Sequence, residues 1–187
     1  MKPDIAAIEK KCVLLQTVLR TLLPKPGDYA IGIDGLTLYR REGKNFPDAE
    51  GCARPHATIV FQGAESVRIN GHEFTCRQCQ CRMTSEDAYG TGNIAEASTE
   101  YPFLAASLAL DANLLRELKK QAYDHDIRLP ASRAVSVKTA DTDMLDAFFR
   151  LVMLHKKPAH IPVLAPLIIY EIHYLLVTGA HRAVTGR

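Results

Sequence analysis

The segment from Pro162 to Gly179 is almost continuously apolar, and it ends in the helix-stop pair Thr178-Gly179. A helix that is apolar on nearly all sides must be buried against another element. The preceding block, from Gly35 to Leu110, consists of short alternating runs separated by turn signals, which is typical of strands. This order predicts a β-rich half followed by a helical half. The last helix is expected to pack on the β half or on a second copy of itself.

The strand block contains about seven runs at the close spacing of a sandwich or barrel. Asn70-Gly71 is its strongest hairpin signal, because a type I′ turn needs positive φ at both central positions. Gly90 and Gly92 predict another turn, and Glu42 to Pro55 is expected to be a loop. The predicted strands are Leu36–Arg41, Ala57–Phe61, Ser66–Ile69, His72–Cys76, Gln80–Ser85, Ile94–Ser98 and Phe103–Leu110.

Helices are predicted on both sides of the strand block. Lys2 to Leu23 forms an amphipathic pattern that Pro24 terminates. After the strands, Asp111 and Asp141 each precede a helical pattern as an N-cap, and a short strand is possible at Ala134 to Val137. The fold class predicted is α+β: an N-terminal helix, a β-barrel, and a C-terminal helical lobe.

The composition excludes several classes of protein. The chain has 187 residues with a net charge of +2, and its Lys and Arg residues are scattered rather than gathered into a basic face. Pro162 to Gly179 looks slightly short for a membrane span and carries Glu171 and His173 at its centre. With no signal-peptide cleavage site, the expected compartment is the cytoplasm. No nucleophile elbow, phosphate loop or carboxylate pair occurs, so neither an enzyme nor catalytic residues are predicted.

The five cysteines do not look like a disulfide scaffold, because their number is odd. Cys76-x-x-Cys79-x-Cys81, with His72 nearby, could instead ligate zinc or iron or respond to oxidation. A cupin-type metalloprotein or a thiol-based metal or redox sensor is therefore an alternative function. Against it, no second ligand pair is evident, and free cysteine also packs as a small hydrophobe. We predict no cofactor and no metal site.

Four segments of the sequence, taken in order, resemble those of a known family. They are ATIVFQGAESVRING from Ala57, EYPFL from Glu100, SLALD from Ser107, and a final stretch ending in PLIIYEIHYLLVTG. Together they resemble the N-terminal regulatory region of AraC-type transcriptional regulators, over about Leu36 to Ala180. The resemblance implies a cupin-like barrel that receives a small-molecule effector, and helices that form a homodimer. It also implies DNA contact through a C-terminal helix-turn-helix domain, and this chain ends at Arg187 before such a domain.

The expected organisation is a single regulatory domain. It comprises an N-terminal helix and linker (1–27), the barrel (28–110), a helical dimerisation lobe (111–180) and a tail (181–187). A barrel that has lost its ligand and only supports dimerisation is a further alternative. Strand alternation, which a one-residue slip would reverse, gives the ligand-binding candidates Tyr39, Phe61, Cys79, Cys81 and Met83. The dimerisation candidates on the last helix are Leu164, Ile168, Ile172 and Leu175.

Overall fold

The first helix has one buried side. The computed structural model describes residues 4–43, 51–84, 88–125, 127 and 135–178. Helix α1 (Ile5–Leu22) begins at Asp4, whose side-chain oxygen accepts a hydrogen bond from the Ala7 amide at 3.1 Å. Ile8 is buried, whereas Ile5, one turn earlier, is 65% exposed. The buried stripe of α1 is Ile8, Cys12, Leu15 and Leu19.

Six of the described strands form one antiparallel sheet in the order β1-β2-β9-β4-β7-β10. The sequence predicted most of these strands but missed the first one, which follows directly after the Pro-Gly stop of α1. The bounds are β1 (Gly27–Ala30), β2 (Leu36–Arg41), β4 (His56–Gln62), β7 (Gln80–Thr84), β9 (Phe103–Ala109) and β10 (Val135–Thr139).

The second sheet has four described strands in the order β3-β8-β5-β6. The predicted hairpin between β5 and β6 is confirmed, since Asn70 and Gly71 have φ values of 50° and 80°. The turn predicted at Gly90 is wrong, because this residue lies inside β8. A Cβ at Gly90 would collide with the carbonyl oxygen of Arg68 on β5, so close strand pairing requires glycine there. The bounds are β3 (Gly51–Ala53), β5 (Ala64–Ile69), β6 (His72–Arg77) and β8 (Ala88–Glu96).

The six-stranded sheet has two different faces. One face packs on the helices, and its buried side chains belong to the main core: Leu38, Ile59, Phe61, Leu104, Ala106 and Leu108. The other face packs on the four-stranded sheet, and we call the space between the sheets the intersheet layer. Its apolar cluster combines Val60, Phe103 and Ala105 of the large sheet with Cys76 and Ile94 of the small one.

The helices after the strands begin where the sequence predicted. Helix α2 (Ala112–Asp124) is capped by Asp111, and α3 (Thr142–Met153) is capped by Asp141, whose carboxylate accepts from the Met144 amide at 2.8 Å. Two single 3₁₀ turns, Leu154–Lys156 and Pro158–His160, lead into α4 (Ile161–Thr178). The predicted α+β class, with helices at both ends of a β block, is confirmed.

Helix α4 is joined to the start of α2 by a buried histidine. His173 is 1% exposed; its Nε2 accepts a hydrogen bond from the Asp111 amide at 2.9 Å. Its Nδ1 lies 2.8 Å from the Ile169 carbonyl, so the neutral ring protonated at Nδ1 satisfies both contacts. Burial lowers the pKa of His173.

By length and composition alone, Pro158–Thr178 could cross a membrane. It has 21 residues and a mean hydropathy of 1.7, so the argument that the segment is too short is wrong. Core helices of soluble proteins have the same length and composition, and one side of α4 is such a core side. Its buried residues are Ala165, Ile168, Ile172, His173, Leu176 and Val177.

Candidate functional site

The intersheet layer contains a buried ion pair between the two sheets. The Arg82 Nε on β7 donates to a carboxylate oxygen of Glu65 on β5 at 2.9 Å. The two side chains are only 7% and 12% exposed. A charge buried to this extent is tolerated only with a partner, so the pair fixes these two strands relative to each other.

His56 and Thr84 complete the surroundings of Arg82. The guanidinium donates from Nη1 to the His56 Nε2 at 2.8 Å and to the Thr84 hydroxyl at 3.1 Å. The His56 Nδ1 lies 2.7 Å from the Arg54 carbonyl and donates to it. His56 is therefore neutral, with its proton on Nδ1. Burial and the nearby positive charge of Arg82 both lower the pKa of His56.

A row of polar side chains crosses the large sheet next to this cluster. In the strand register Thr37 is opposite Ser107, Ser107 is opposite Thr58, and Thr58 is opposite Arg82. The Thr58 and Ser107 hydroxyls are hydrogen-bonded at 3.1 Å. Because cross-strand partners share a face, these four residues form one continuous polar band across β2, β9, β4 and β7. We call this band the polar row.

An apolar row runs parallel to the polar row, two residues away from it on β2, β9 and β4. Tyr39 is opposite Ala105, which is opposite Val60. The Tyr39 ring packs on the apolar cluster of the intersheet layer. The Arg41 guanidinium lies 5.2 Å from the centroid of that ring. Burial and the negative charge of Asp28 raise the pKa of Tyr39, so its hydroxyl keeps its proton and can both donate and accept.

The two rows together make an amphipathic surface inside the β half. One band offers hydroxyls and a guanidinium, and the adjacent band offers aliphatic and aromatic carbon. Such a combination of apolar area with a few convergent polar groups is typical of small-molecule sites. Among the described residues of the two rows, no nucleophile is hydrogen-bonded to a base.

The predicted ligand-binding residues do not share one face. Tyr39 lies in the intersheet layer, whereas Phe61, Cys79, Cys81 and Met83 lie on the face that packs on the helices. Strand register explains the difference, because Ile59 of the main core is opposite Cys81. A role for these four residues in binding stays a prediction.

A small cavity lies on the helix side of the large sheet. Its volume of about 10 Å³ is that of a single water molecule. Cys81 and Met83 line it together with Met144 and Leu176 of α3 and α4. Any larger ligand on this side would have to separate the sheet from the helices.

The three clustered cysteines are divided between the two faces. Cys76 belongs to the intersheet layer, while Cys79 and Cys81 belong to the main core. His72, at the start of β6, is exposed. Within the part of the chain that the structure describes, no three His, Cys, Asp or Glu side chains converge to hold a metal ion.

The predicted dimerisation residues also divide between two sides of α4. Ile168 and Ile172 are 7% and 0% exposed and pack in the core, Leu175 is half-buried, and Leu164 is 38% exposed. The opposite side is apolar and exposed. We call it the α4 stripe: Val163, Leu164, Leu167, Tyr170 and Tyr174.

Paired charges flank the α4 stripe. Arg150 of α3 makes two contacts to the Glu171 carboxylate, at 2.7 and 2.8 Å, and one to Asp146 at 2.9 Å. Lys11 of α1 contacts Asp146 at 2.7 Å. Lys11, Asp146 and Glu171 border a surface groove of about 350 Å³ that Tyr174 also lines.

Sequence reasoning missed Arg82, Glu65 and the polar row. A signal was present: Arg82 lies between Cys81 and Met83 in a strand whose alternate positions are apolar. Alternation therefore placed Arg82 on the face opposite Cys81 and Met83, and the structure shows that this face is buried as well. Its partner could not be found from sequence, because β5 and β7 belong to different sheets.

Comparisons with known proteins agree with this fold. The structure of ToxT from Vibrio cholerae O395 bound to (E)-4-(8-methylnaphthalen-1-yl)but-3-enoic acid matches with a TM-score of 0.50, at 8% identity, over 74% of this chain and 53% of that one. Unsaturated fatty acid bound ToxT from strain SCE256 matches with a TM-score of 0.47, at 5% identity, over 72% and 51%. The AraC-like activator CuxR matches with a TM-score of 0.41, at 11% identity, over 85% and 58%.

At 8% identity, the match with a TM-score of 0.50 shows a shared fold alone. The chain spans about half the length of the solved structures that it matches. A search of curated protein sequences found no match. The family profile described as AraC-type transcriptional regulator N-terminus matches residues 32–184, which is most of the chain. The resemblance seen in the sequence is confirmed: the chain belongs to the family of AraC-type transcriptional regulator N-terminal domains.

Proposed function

We propose that this chain is the effector-sensing and dimerisation part of a cytoplasmic transcription regulator. A small, mostly apolar molecule with one polar group binds in the intersheet layer. DNA is contacted by a C-terminal helix-turn-helix domain outside these 187 residues. The observation that carries this proposal is the amphipathic surface on which the polar row lies beside the apolar row. Family membership supports the regulatory role.

The amphipathic surface indicates what the effector looks like. Its apolar part would replace the contacts that Val60, Phe103 and Ala105 make with the small sheet, so binding requires the two sheets to separate locally. Its polar group would lie against the hydroxyls of the polar row. The Tyr39 hydroxyl stands next to both rows. The ToxT structure bound to a butenoic acid derivative has a related fold, which supports an organic molecule of this size.

Binding would act on the rest of the chain by favouring one conformation over another. The effector can shift that equilibrium only by its difference in affinity for the two states. Strand β4 carries Val60 on the intersheet face and Phe61 on the helix face, so any movement of this strand reaches both sides of the sheet.

Effector binding can be tested with a matched pair of tyrosine variants. Decanoic acid, decan-1-ol and decylamine serve as probes in calorimetric titrations. We expect at least one probe to bind, and Tyr39→Phe to weaken its binding about fivefold, the worth of one hydrogen bond. Tyr29→Phe is the control, because the Tyr29 hydroxyl bonds Lys25 instead. Equal effects of the two variants would contradict the site.

For the dimer, we propose that the α4 stripe meets the same stripe of a second copy. Val163, Leu167, Tyr170 and Tyr174 recur at spacings of three and four residues, which is the spacing of helix-helix contacts. The flanking Arg150 and Glu171 are already paired within the chain, so a partner helix would bury apolar side chains without separating that pair. Ile168 and Ile172 are left out because they are buried in the core.

Light scattering across a range of protein concentrations tests the dimer. We expect the wild type to be dimeric and Leu167→Glu to be monomeric, because a carboxylate would be buried in an apolar contact. Tyr123→Glu on α2 is the control, since Tyr123 is 68% exposed and lies outside the stripe. A wild-type protein that stays monomeric at high concentration would rule out this interface.

A further inference from the structure

The charged side chains of the intersheet layer compensate one another. Among the described residues, the charges in or beside this layer are those of Arg82, Glu65, Arg41 and Asp28. The Arg82 guanidinium is paired with Glu65 across the two sheets. The Arg41 guanidinium lies over the Tyr39 ring and is paired with Asp28 of the edge strand β1. These two positive and two negative charges sum to zero, so a ligand that enters the layer meets no net charge from them.

The Arg82–Glu65 pair opposes the binding of a charged head group. A carboxylate could take over the contact with Arg82 only by releasing Glu65, which would stay buried without a partner. An ammonium group could take over the contact with Glu65 only by leaving Arg82 in the same position. A charged group beside the intact pair would lose its hydration and gain no counter-charge of its own. In each case an uncompensated charge would lie in the interior.

Hydroxyl groups are the uncharged partners that the layer offers. Thr37, Ser107 and Thr58 are neighbours in the polar row, and the hydroxyls of Thr58 and Ser107 are hydrogen-bonded at 3.1 Å. Tyr39 lies beside them, two residues after Thr37 on β2. A hydroxyl can donate one hydrogen bond and accept others. This group of side chains can therefore hold an alcohol, a carbonyl or an amide without bringing a charge into the layer.

We propose that the effector is an uncharged molecule, whose polar group is a hydroxyl, a carbonyl or an amide and not a carboxylate, a phosphate or an amine. The inference rests on the proposed function, because it names the chemical class of ligand for the same site in the intersheet layer. The polar group of the effector exchanges hydrogen bonds with Thr58 and Ser107. The pair of Arg82 and Glu65 stays intact during binding and disfavours ions of either sign.

Glu65 is the residue that determines selectivity against acids. Its side chain is 12% exposed, whereas that of Asp28 is 57% exposed at the edge of the sheet. Replacing Glu65 by glutamine removes the buried negative charge and keeps an acceptor for Arg82. The guanidinium then lacks a counter-charge, which a carboxylate on the ligand can supply through a charge-assisted hydrogen bond. The preference of the site should therefore change toward acids in this variant.

Calorimetric titrations with decan-1-ol, sodium decanoate and decylamine at neutral pH test the proposal. The three probes have the same alkyl chain and differ in the charge of the head group. We expect decan-1-ol to bind the wild type at least about tenfold more tightly than either ion, because neither ion finds an unpaired counter-charge. An ion that binds as tightly as decan-1-ol would overturn the inference and leave the proposed site in place. No binding of any probe would overturn the proposed function, and the inference with it.

A substitution at Glu65 adds a readout that a purely structural role would not change. In Glu65→Gln we expect the affinity for decanoate, divided by that for decan-1-ol, to rise about tenfold. Comparing this ratio between variants cancels the different hydrophobicity of the two probes. Glu73→Gln is the matched control, because it removes the same charge from the other strand of the hairpin. The Glu73 carboxylate accepts an exposed hydrogen bond from Ser66, so we expect the ratio to stay unchanged.

The two glutamate variants separate a local effect from a general effect of charge. An unchanged affinity ratio in Glu65→Gln would contradict the role of the buried pair, and so would an equal rise in Glu73→Gln. Circular dichroism reports whether each variant is folded. If Glu65→Gln is not folded, the order of the three probe affinities in the wild type decides the question.

Discussion

The two faces of the six-stranded sheet differ in composition and in what they do. The helix face is lined by residues such as Ile59 and Phe61, which are fully buried in the main core. The opposite face combines the apolar cluster around Val60 with the polar row and the Arg82–Glu65 pair. Alternate residues of the same strands therefore serve different purposes. The helix face supplies hydrophobic stabilisation, and the intersheet face supplies directional contacts.

The two faces differ in how strictly their side chains require particular partners. An apolar face tolerates swaps that conserve volume, because its contacts are not directional. A buried guanidinium such as that of Arg82 needs each partner in place, because an uncompensated charge in the interior is costly. We therefore expect substitutions on the two faces to fail in different ways.

The largest effect is expected on the helix face. Phe61→Ala removes a fully buried aromatic side chain and leaves a cavity, which should lower the free energy of unfolding by about 4 kcal/mol. Chemical denaturation measures this loss. Tyr123→Ala is the control, and because Tyr123 is 68% exposed we expect a change within about 0.5 kcal/mol. Similar losses in both variants would mean that Phe61 does not pack as described.

The next effect, on the intersheet face, should depend on whether one charge or both are removed. Arg82→Met leaves the Glu65 carboxylate buried without its partner and should cost about 3 kcal/mol. The double variant Arg82→Met/Glu65→Leu should recover much of this loss, because no charge remains to be buried. Denaturation curves of the single and double variants form the test. Losses that simply add would contradict a buried, coupled pair.

The smallest effect is a pH dependence that both neutral histidines contribute to. The pKa values of His56 and His173 in the folded protein are below the ordinary value of 6.5. Below pH 6.5 the unfolded chain therefore binds more protons, and the free energy of unfolding falls as the pH decreases. Protonation of His56 would also remove the Nε2 acceptor for Arg82, in a cluster whose other charged group is Glu65.

The contribution of His56 can be separated by substitution. In His56→Gln the amide oxygen can still accept from Arg82, so the fold is retained while one titrating group is lost. We expect a smaller decrease in the free energy of unfolding between pH 7 and pH 5 than in the wild type. An unchanged decrease would assign the whole effect to His173 and other groups.

Local features were predicted well because their causes are local. Asn70-Gly71 adopts the positive φ values that its turn requires, and Asp111 and Asp141 cap the helices that follow them. Each of these signals depends on a few adjacent residues. The order of strands and helices, together with the four segments that resemble the family, was enough to identify it.

Predictions failed where the cause was distant in sequence. Gly90 looked like a turn residue, but it lies within β8 because the Arg68 carbonyl approaches it from β5. Cys79 looked like a residue of a local cysteine cluster, but it lies in the main core whereas Cys76 lies in the intersheet layer. Spacing along the chain could not show either arrangement, since only strand pairing and the packing of elements produce it.

Most of the elements, their order and the family could be predicted from the sequence alone, although β1 and β3 could not. Which face of each element is buried depends instead on the tertiary structure. In α4 both sides are apolar, so composition could not distinguish the buried Ile168 and Ile172 from the exposed Leu167 and Tyr170. In β7 it was pairing with β4 that placed Cys81 on the helix side and Arg82 between the sheets. The physical reason is that hydrogen bonding and capping act between neighbours along the chain, whereas burial depends on which surfaces meet in space.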